Sequence, residues 1–121
     1  MTDPRRKIIA FIAARLLTTK KSGAVYDFQS SRFTHVSGDI AEKKVNVYDH
    51  DRGCHLGGNL SGKQFSLYDF GDSSHINLEL ENNGKFKGYD FGTSSHFSGT
   101  VRGSSISFYD FQTGKFYNYS I

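Results

Sequence analysis

The dipeptide Tyr-Asp occurs five times along this chain, as Tyr26-Asp27, Tyr48-Asp49, Tyr68-Asp69, Tyr89-Asp90 and Tyr109-Asp110. Successive copies lie 22, 20, 21 and 20 residues apart. A unit of that size is too small to bury its own apolar face, so neighbouring units must share one core. A second anchor accompanies the first. His55, His75 and His96 each fall six residues after the Asp, and His35 falls eight after Asp27. Two strands therefore alternate per unit, one ending at Tyr-Asp and one beginning at His.

Turn chemistry sets the direction of these strands. Leu80 and Phe86 flank Glu81-Asn82-Asn83-Gly84-Lys85, a three-residue hairpin loop in which Gly84 takes the left-handed conformation. The segments 61–64 and 102–105, and 71–74 and 92–95 at the other end, are of hairpin length as well. Short turns at both ends make an antiparallel meander, because parallel pairing needs crossovers of a dozen or more residues. Opposed residues share a face. A register with Phe70 opposite His75 sets Asp69 opposite Ile76, Leu67 opposite Leu78 and Phe65 opposite Leu80. It also matches Leu80 with Phe86, Val45 with Leu60, Phe86 with Val101 and Ile40 with Val45. One face is then apolar, and the other carries Lys44, Asn46, Gln64, Ser66, Asn77, Glu79, Ser98, Thr100 and Arg102.

The expected fold is all-β: an up-and-down antiparallel meander of about ten short strands that closes into a barrel and so loses its raw edges. A β-solenoid with a helical cap is the alternative. Gly38, Gly58, Gly88 and Gly99 fall on the apolar face and thin one level of the interior, leaving a cavity or a seat for another element.

Residues 1–22 differ from the repeat body at 23–121. Residues 1–21 hold Arg5, Arg6, Lys7, Arg15, Lys20 and Lys21 against Asp3, a balance of +5, while the rest of the chain balances to −2. The repeat body is thus not a basic surface, and nucleic-acid binding is disfavoured. Ile8, Ile9, Phe11, Ile12 and Leu16 form an apolar stripe at helical spacing. Asp3 suits the N-cap and Pro4 the first helical position. Lys20 and Lys21 suit the C-terminal end of the dipole. The apolar run is about half a membrane span and is interrupted by Arg15, which fits neither a spanning helix nor a signal peptide. An amphipathic helix that plugs or caps the barrel is expected. Peripheral membrane contact by residues 4–21 is the alternative use of the same stripe. A lone Cys54 excludes an internal disulfide framework and agrees with a soluble, cytoplasmic protein.

The candidate ligand-binding residues are those of the repeat: Tyr48, Tyr68, Tyr89 and Tyr109; Asp49, Asp69, Asp90 and Asp110; and His55, His75 and His96. The Asp residues end the apolar face and so share one rim, where each either holds its turn by accepting loop N–H groups or helps form an acidic ring. The His residues fall on the outer face, stacked near the Tyr row. Phe70, Phe91 and Phe111 extend that row into an aromatic stripe, which either stiffens the sheet or contacts a ligand. Asp49, His50, Asp51, Cys54 and His55 are a metal candidate, although their spacing matches no standard zinc pattern. No nucleophile elbow, phosphate loop or dinucleotide fingerprint occurs, and five near-equivalent Asp residues do not supply two carboxyls in different environments. The expectation is a non-enzymatic binding or interaction module without a cofactor, its ligand a small molecule, carbohydrate or protein. A carrier of an apolar ligand inside the barrel is the alternative.

Overall fold

In a computed structural model of residues 1–121, the segment Asp3–Leu17 forms one helix, α1. Ile8, Ile9, Ala10, Phe11, Ile12, Ala13 and Ala14 are all buried, so α1 has no wet side along its middle. A helix apolar all round belongs inside a core. The expected amphipathic stripe is therefore only part of a fully enclosed surface. The helix is the plug, and its apolar residues are not available to a membrane.

Ten antiparallel strands surround it: β1 (Ala24–Asp27), β2 (Arg32–Ile40), β3 (Lys44–Asp49), β4 (Cys54–Ser61), β5 (Gln64–Asp69), β6 (Ser74–Leu80), β7 (Lys85–Asp90), β8 (Ser95–Arg102), β9 (Ser105–Asp110) and β10 (Lys115–Ser120). Each pairs with its sequence neighbours, and β1 pairs with β10 to close the barrel. The solenoid is thereby excluded. Along β3, β5 and β9, buried residues alternate with more exposed ones in the way a one-sided sheet requires. Val45, Val47, Leu56, Phe65, Leu67, Ile76, Leu78 and Phe108 point inward onto α1 and form one core with it. Each such side chain, fully buried, contributes about 1.5–3 kcal/mol.

The register agrees with expectation at one end and differs at the other. Leu80 pairs with Phe86 and Ile40 with Val45, as expected. At the Tyr-Asp end the partners are shifted by two residues: Tyr68, not Phe70, opposes His75, and Leu67 opposes Ile76. Val45 likewise opposes Gly58, and Phe86 opposes Gly99. The cause is that Phe70 leaves the hairpin, its N–H donating to the carbonyl of His55 on the other neighbouring strand at 3.0 Å. A shift of two leaves every side chain on its face.

The helix ends also differ from expectation. Thr2 is the N-cap, Asp3 is the first helical residue and its carboxylate turns to Arg6. The last turn holds Arg15, and Lys20 and Lys21 lie beyond the end. Gly88 and Gly99 seat aromatic rings. A Cβ on Gly88 would fall 2.3 Å from the Phe97 ring, and one on Gly99 would fall 2.4 Å from the Phe86 ring.

Candidate functional site

Every Tyr-Asp pair ends an odd-numbered strand, so all five lie at the same end of the barrel with Asp inside and Tyr outside. The loop-holding role expected of the Asp residues is present in all five copies. Oδ1 of Asp27, Asp49, Asp69, Asp90 and Asp110 accepts the backbone N–H of the residue two further on at 2.8–2.9 Å.

Oδ2 of Asp49, Asp69 and Asp110 and Oδ1 of Asp90 also accept from arginines, whereas Asp27 takes the Gln29 side-chain amide instead. The N-terminal turn of α1 carries Arg5 and Arg6 into this rim. Arg5 bonds Asp69 at 3.0 Å and Asp90 at 2.7 Å and also reaches Asp72. Arg6 bonds Asp110 at 2.9 Å and stacks over the Tyr117 ring at 3.6 Å. Arg52, from the β3–β4 loop, joins Asp49 at 2.9 Å to Asp69 at 3.0 Å. Burial works against the charged form of Asp69 and Asp110, yet the arginine and backbone hydrogen bonds outweigh it and hold both below the ordinary carboxylate range. Burial also opposes the charge on Arg5 and Arg6, and their carboxylate partners reverse it, so both are raised. The rim is a closed lattice of opposite charges. Asp49, Asp69, Asp90 and Asp110 have no exposed surface at all, so they do not form an open acidic ring.

The Tyr residues head five aromatic triads on the outer wall: Tyr26 with Phe28 and Phe33, Tyr48 with His50 and His55, Tyr68 with Phe70 and His75, Tyr89 with Phe91 and His96, and Tyr109 with Phe111 and Phe116. Ring centroids stand 4.7–5.0 Å apart, mostly edge to face, the arrangement that aromatic quadrupoles favour. His55, His75 and His96 therefore stand where the sequence put them. Phe28, Phe33, Phe70, Phe91, Phe111 and Phe116 remain 53–67% exposed.

The metal candidate does not assemble. Asp49 points inward to Arg52, Asp51 bonds Thr34 at 2.6 Å, and His50 and His55 flank Tyr48 outside. No group of three or more His, Cys, Asp or Glu side chains is placed to hold a metal ion. Burial, partly offset by Arg52, pushes the Cys54 thiol up, which keeps it protonated at neutral pH. The interior space that an apolar ligand would need is filled by α1.

Two sets of residues were not singled out from the sequence. One is Arg5, Arg6 and Arg52. Five inward carboxylates at one level require buried cations, and Arg5-Arg6 at a helix start was the signal. The other is a row of outward amides and hydroxyls one step along the strands from the Tyr level. In it Ser66 stands between Asn59 and Asn77, and Ser107 stands between Thr100 and Asn118. No helix is long and apolar enough to cross a membrane. No protein-family model matches this chain, and neither a curated protein nor a solved structure matches it.

Proposed function

We propose that this chain is a non-enzymatic recognition module that binds a carbohydrate or protein ligand on the outside of the barrel, against the aromatic triads. The observation that carries this reading is the set of six phenylalanines, each more than half exposed, at one level of the wall. A Phe offers about 150–250 Å², so the set leaves on the order of several hundred Å² of ring surface in water. Bands of that size mark interaction sites more often than scattered single residues do. Each of these phenylalanines stacks on its Tyr and still keeps more than half of its surface in water. The Asp and His components take supporting roles: the Asp–Arg lattice fixes the loops that carry the phenylalanines, and the His rings orient the tyrosines. Asp69 and Asp110 are held ionised by arginine and are acceptors only at neutral pH, which suits scaffolding better than proton transfer.

The test compares the wild-type chain with a Phe28→Ser, Phe70→Ser, Phe91→Ser, Phe111→Ser variant on immobilised glycans and proteins. With circular dichroism and melting temperature matched, a ligand held by the wild type and lost by the variant supports the reading. Equal retention of every ligand by both would overturn it.

A further inference from the structure

The outer wall is not uniform around the barrel. Three surface grooves of about 480, 450 and 430 Å³ lie side by side over β6–β10. Ser98 lines the first and second, and Thr100 and Ser107 line the second and third, so the three form one continuous track. Four strand spacings make it roughly 19 Å across. A ring walls each section: Phe111 the first, Phe116 the second and Phe28 the third. Amides and hydroxyls floor it, with Asn77, Thr100 and Asn118 among them.

Resting on the outer-wall reading above, we propose that this track binds an uncharged polysaccharide, its sugar rings against Phe111, Phe116 and Phe28 and its hydroxyls bonded by the Asn, Ser and Thr floor. Three observations select that ligand. First, charge nearly cancels along the track: Glu79 and Glu81 oppose Lys85, Lys87 and Arg102, and Lys87 stands 3.5 Å from Glu79. The one excess charge, at Arg102, is too little to select a charged polymer along the whole track. Second, Asn amides and Ser or Thr hydroxyls each donate and accept, which matches a ligand whose every group does both. Third, an extended peptide has nowhere to pair along the track, because β6, β7, β8 and β9 are each paired on both sides. Flat rings beside short bifunctional polar groups complement a molecule with apolar ring faces and hydroxylated edges. The continuity of the three sections favours a chain of several sugars over a single one, through effective concentration.

Affinity electrophoresis in gels containing laminarin, soluble starch, mannan or soluble chitin oligomers, with heparin as the charged comparator, tests this. At least one uncharged gel is expected to retard the protein, with no loss on adding salt. Phe111→Ala and Phe116→Ala should each weaken binding by about two- to tenfold, the range of one aromatic contact. Lys44→Ala and Asn46→Ala, on the outer face of β3 and off the track, should leave it unchanged. No retardation in any uncharged gel would overturn the proposal, as would retardation by heparin alone that salt abolishes. Equal losses from the off-track variants would overturn it too. Binding of a protein ligand that Phe111→Ala abolishes, without any sugar binding, would sink the polysaccharide track while leaving outer-wall recognition standing. Failure of the four-Phe variant to alter any binding would sink both.

Discussion

Arg5 is 4% exposed at its side chain and reaches three carboxylates. Removing one partner from a buried ion cluster costs about 3–5 kcal/mol, because the remaining charges lose their compensation. Arg5→Ala should therefore lower stability by about that amount, read from urea midpoints. Arg5→Lys should recover only part of it, since an ammonium cannot bridge Asp69 and Asp90 as a planar fork does. The same lattice sets the acid response. Asp69 and Asp110 have folded pKa values below the ordinary 3.8, so their contribution is complete above that value and is lost as pH falls through the folded pKa. Melting temperature followed downward from neutral pH should hold and then fall on the acid side of 3.8. In Arg6→Ala the Asp110 share of that fall should shrink, leaving what the Gln112 N–H and the N-terminal ammonium sustain, while that of Asp69 remains. Half of this was legible in the sequence. The Asp residues announced themselves by repetition and by standing at the end of an apolar face. Their arginine partners did not, because Arg5 and Arg6 lie about 60–100 residues away in a segment whose charge looked like a surface property.

At the level of elements, the strands were read from alternation and turn residues, and these do not depend on what fills the barrel. The helix was recognised but given one dry face, since Ala10, Ala13 and Ala14 carry too little apolar surface to reveal burial on the remaining sides. Small residues there let strands approach α1 closely. Register was legible where a tight Gly turn fixes it, as at Asn83-Gly84, both of positive φ. It was not legible where an Asp side chain closes the loop from within and sends Phe70 to another strand. The inward glycines belong to the same packing problem. At Gly88 an added methyl would meet both the Phe97 ring at 2.3 Å and the Asn77 carbonyl at 2.0 Å, and the backbone atom cannot yield cheaply. Gly88→Ala should cost about 1–3 kcal/mol or more by overpacking. Gly103→Ala, with open space around it, should cost about 1 kcal/mol or less through its positive φ alone. Thermal melts of the pair separate crowding from backbone strain.

For the whole molecule, the decisive contact is the seam where the first strand meets the last. β1 and β10 share only two registered pairs, Tyr26 with Ser120 and Asp27 with Tyr119, whereas β9 and β10 share six. Such a short ladder is a weak point in a closed sheet, since opening it would create two raw edges at once. Gln29 compensates. Its side-chain amide donates to the Asn118 carbonyl at 3.1 Å and accepts the Asn118 N–H at 2.6 Å, doing for one residue what a strand backbone does. The same Nε2 donates to Asp27 at 2.6 Å, which ties the seam to the Asp rim. Gln29→Ala removes both bonds to Asn118 and shortens the ladder from outside. At about 0.5–1.5 kcal/mol per hydrogen bond, Asn118 amide exchange should accelerate by roughly one to two orders of magnitude. Amides of the β5–β6 hairpin, on the far side of the barrel, should keep their rates. If every amide accelerated together, the seam would open only by global unfolding and Gln29 would add to overall stability alone. Acceleration confined to β1 and β10 would mark the seam as the place where this barrel breathes.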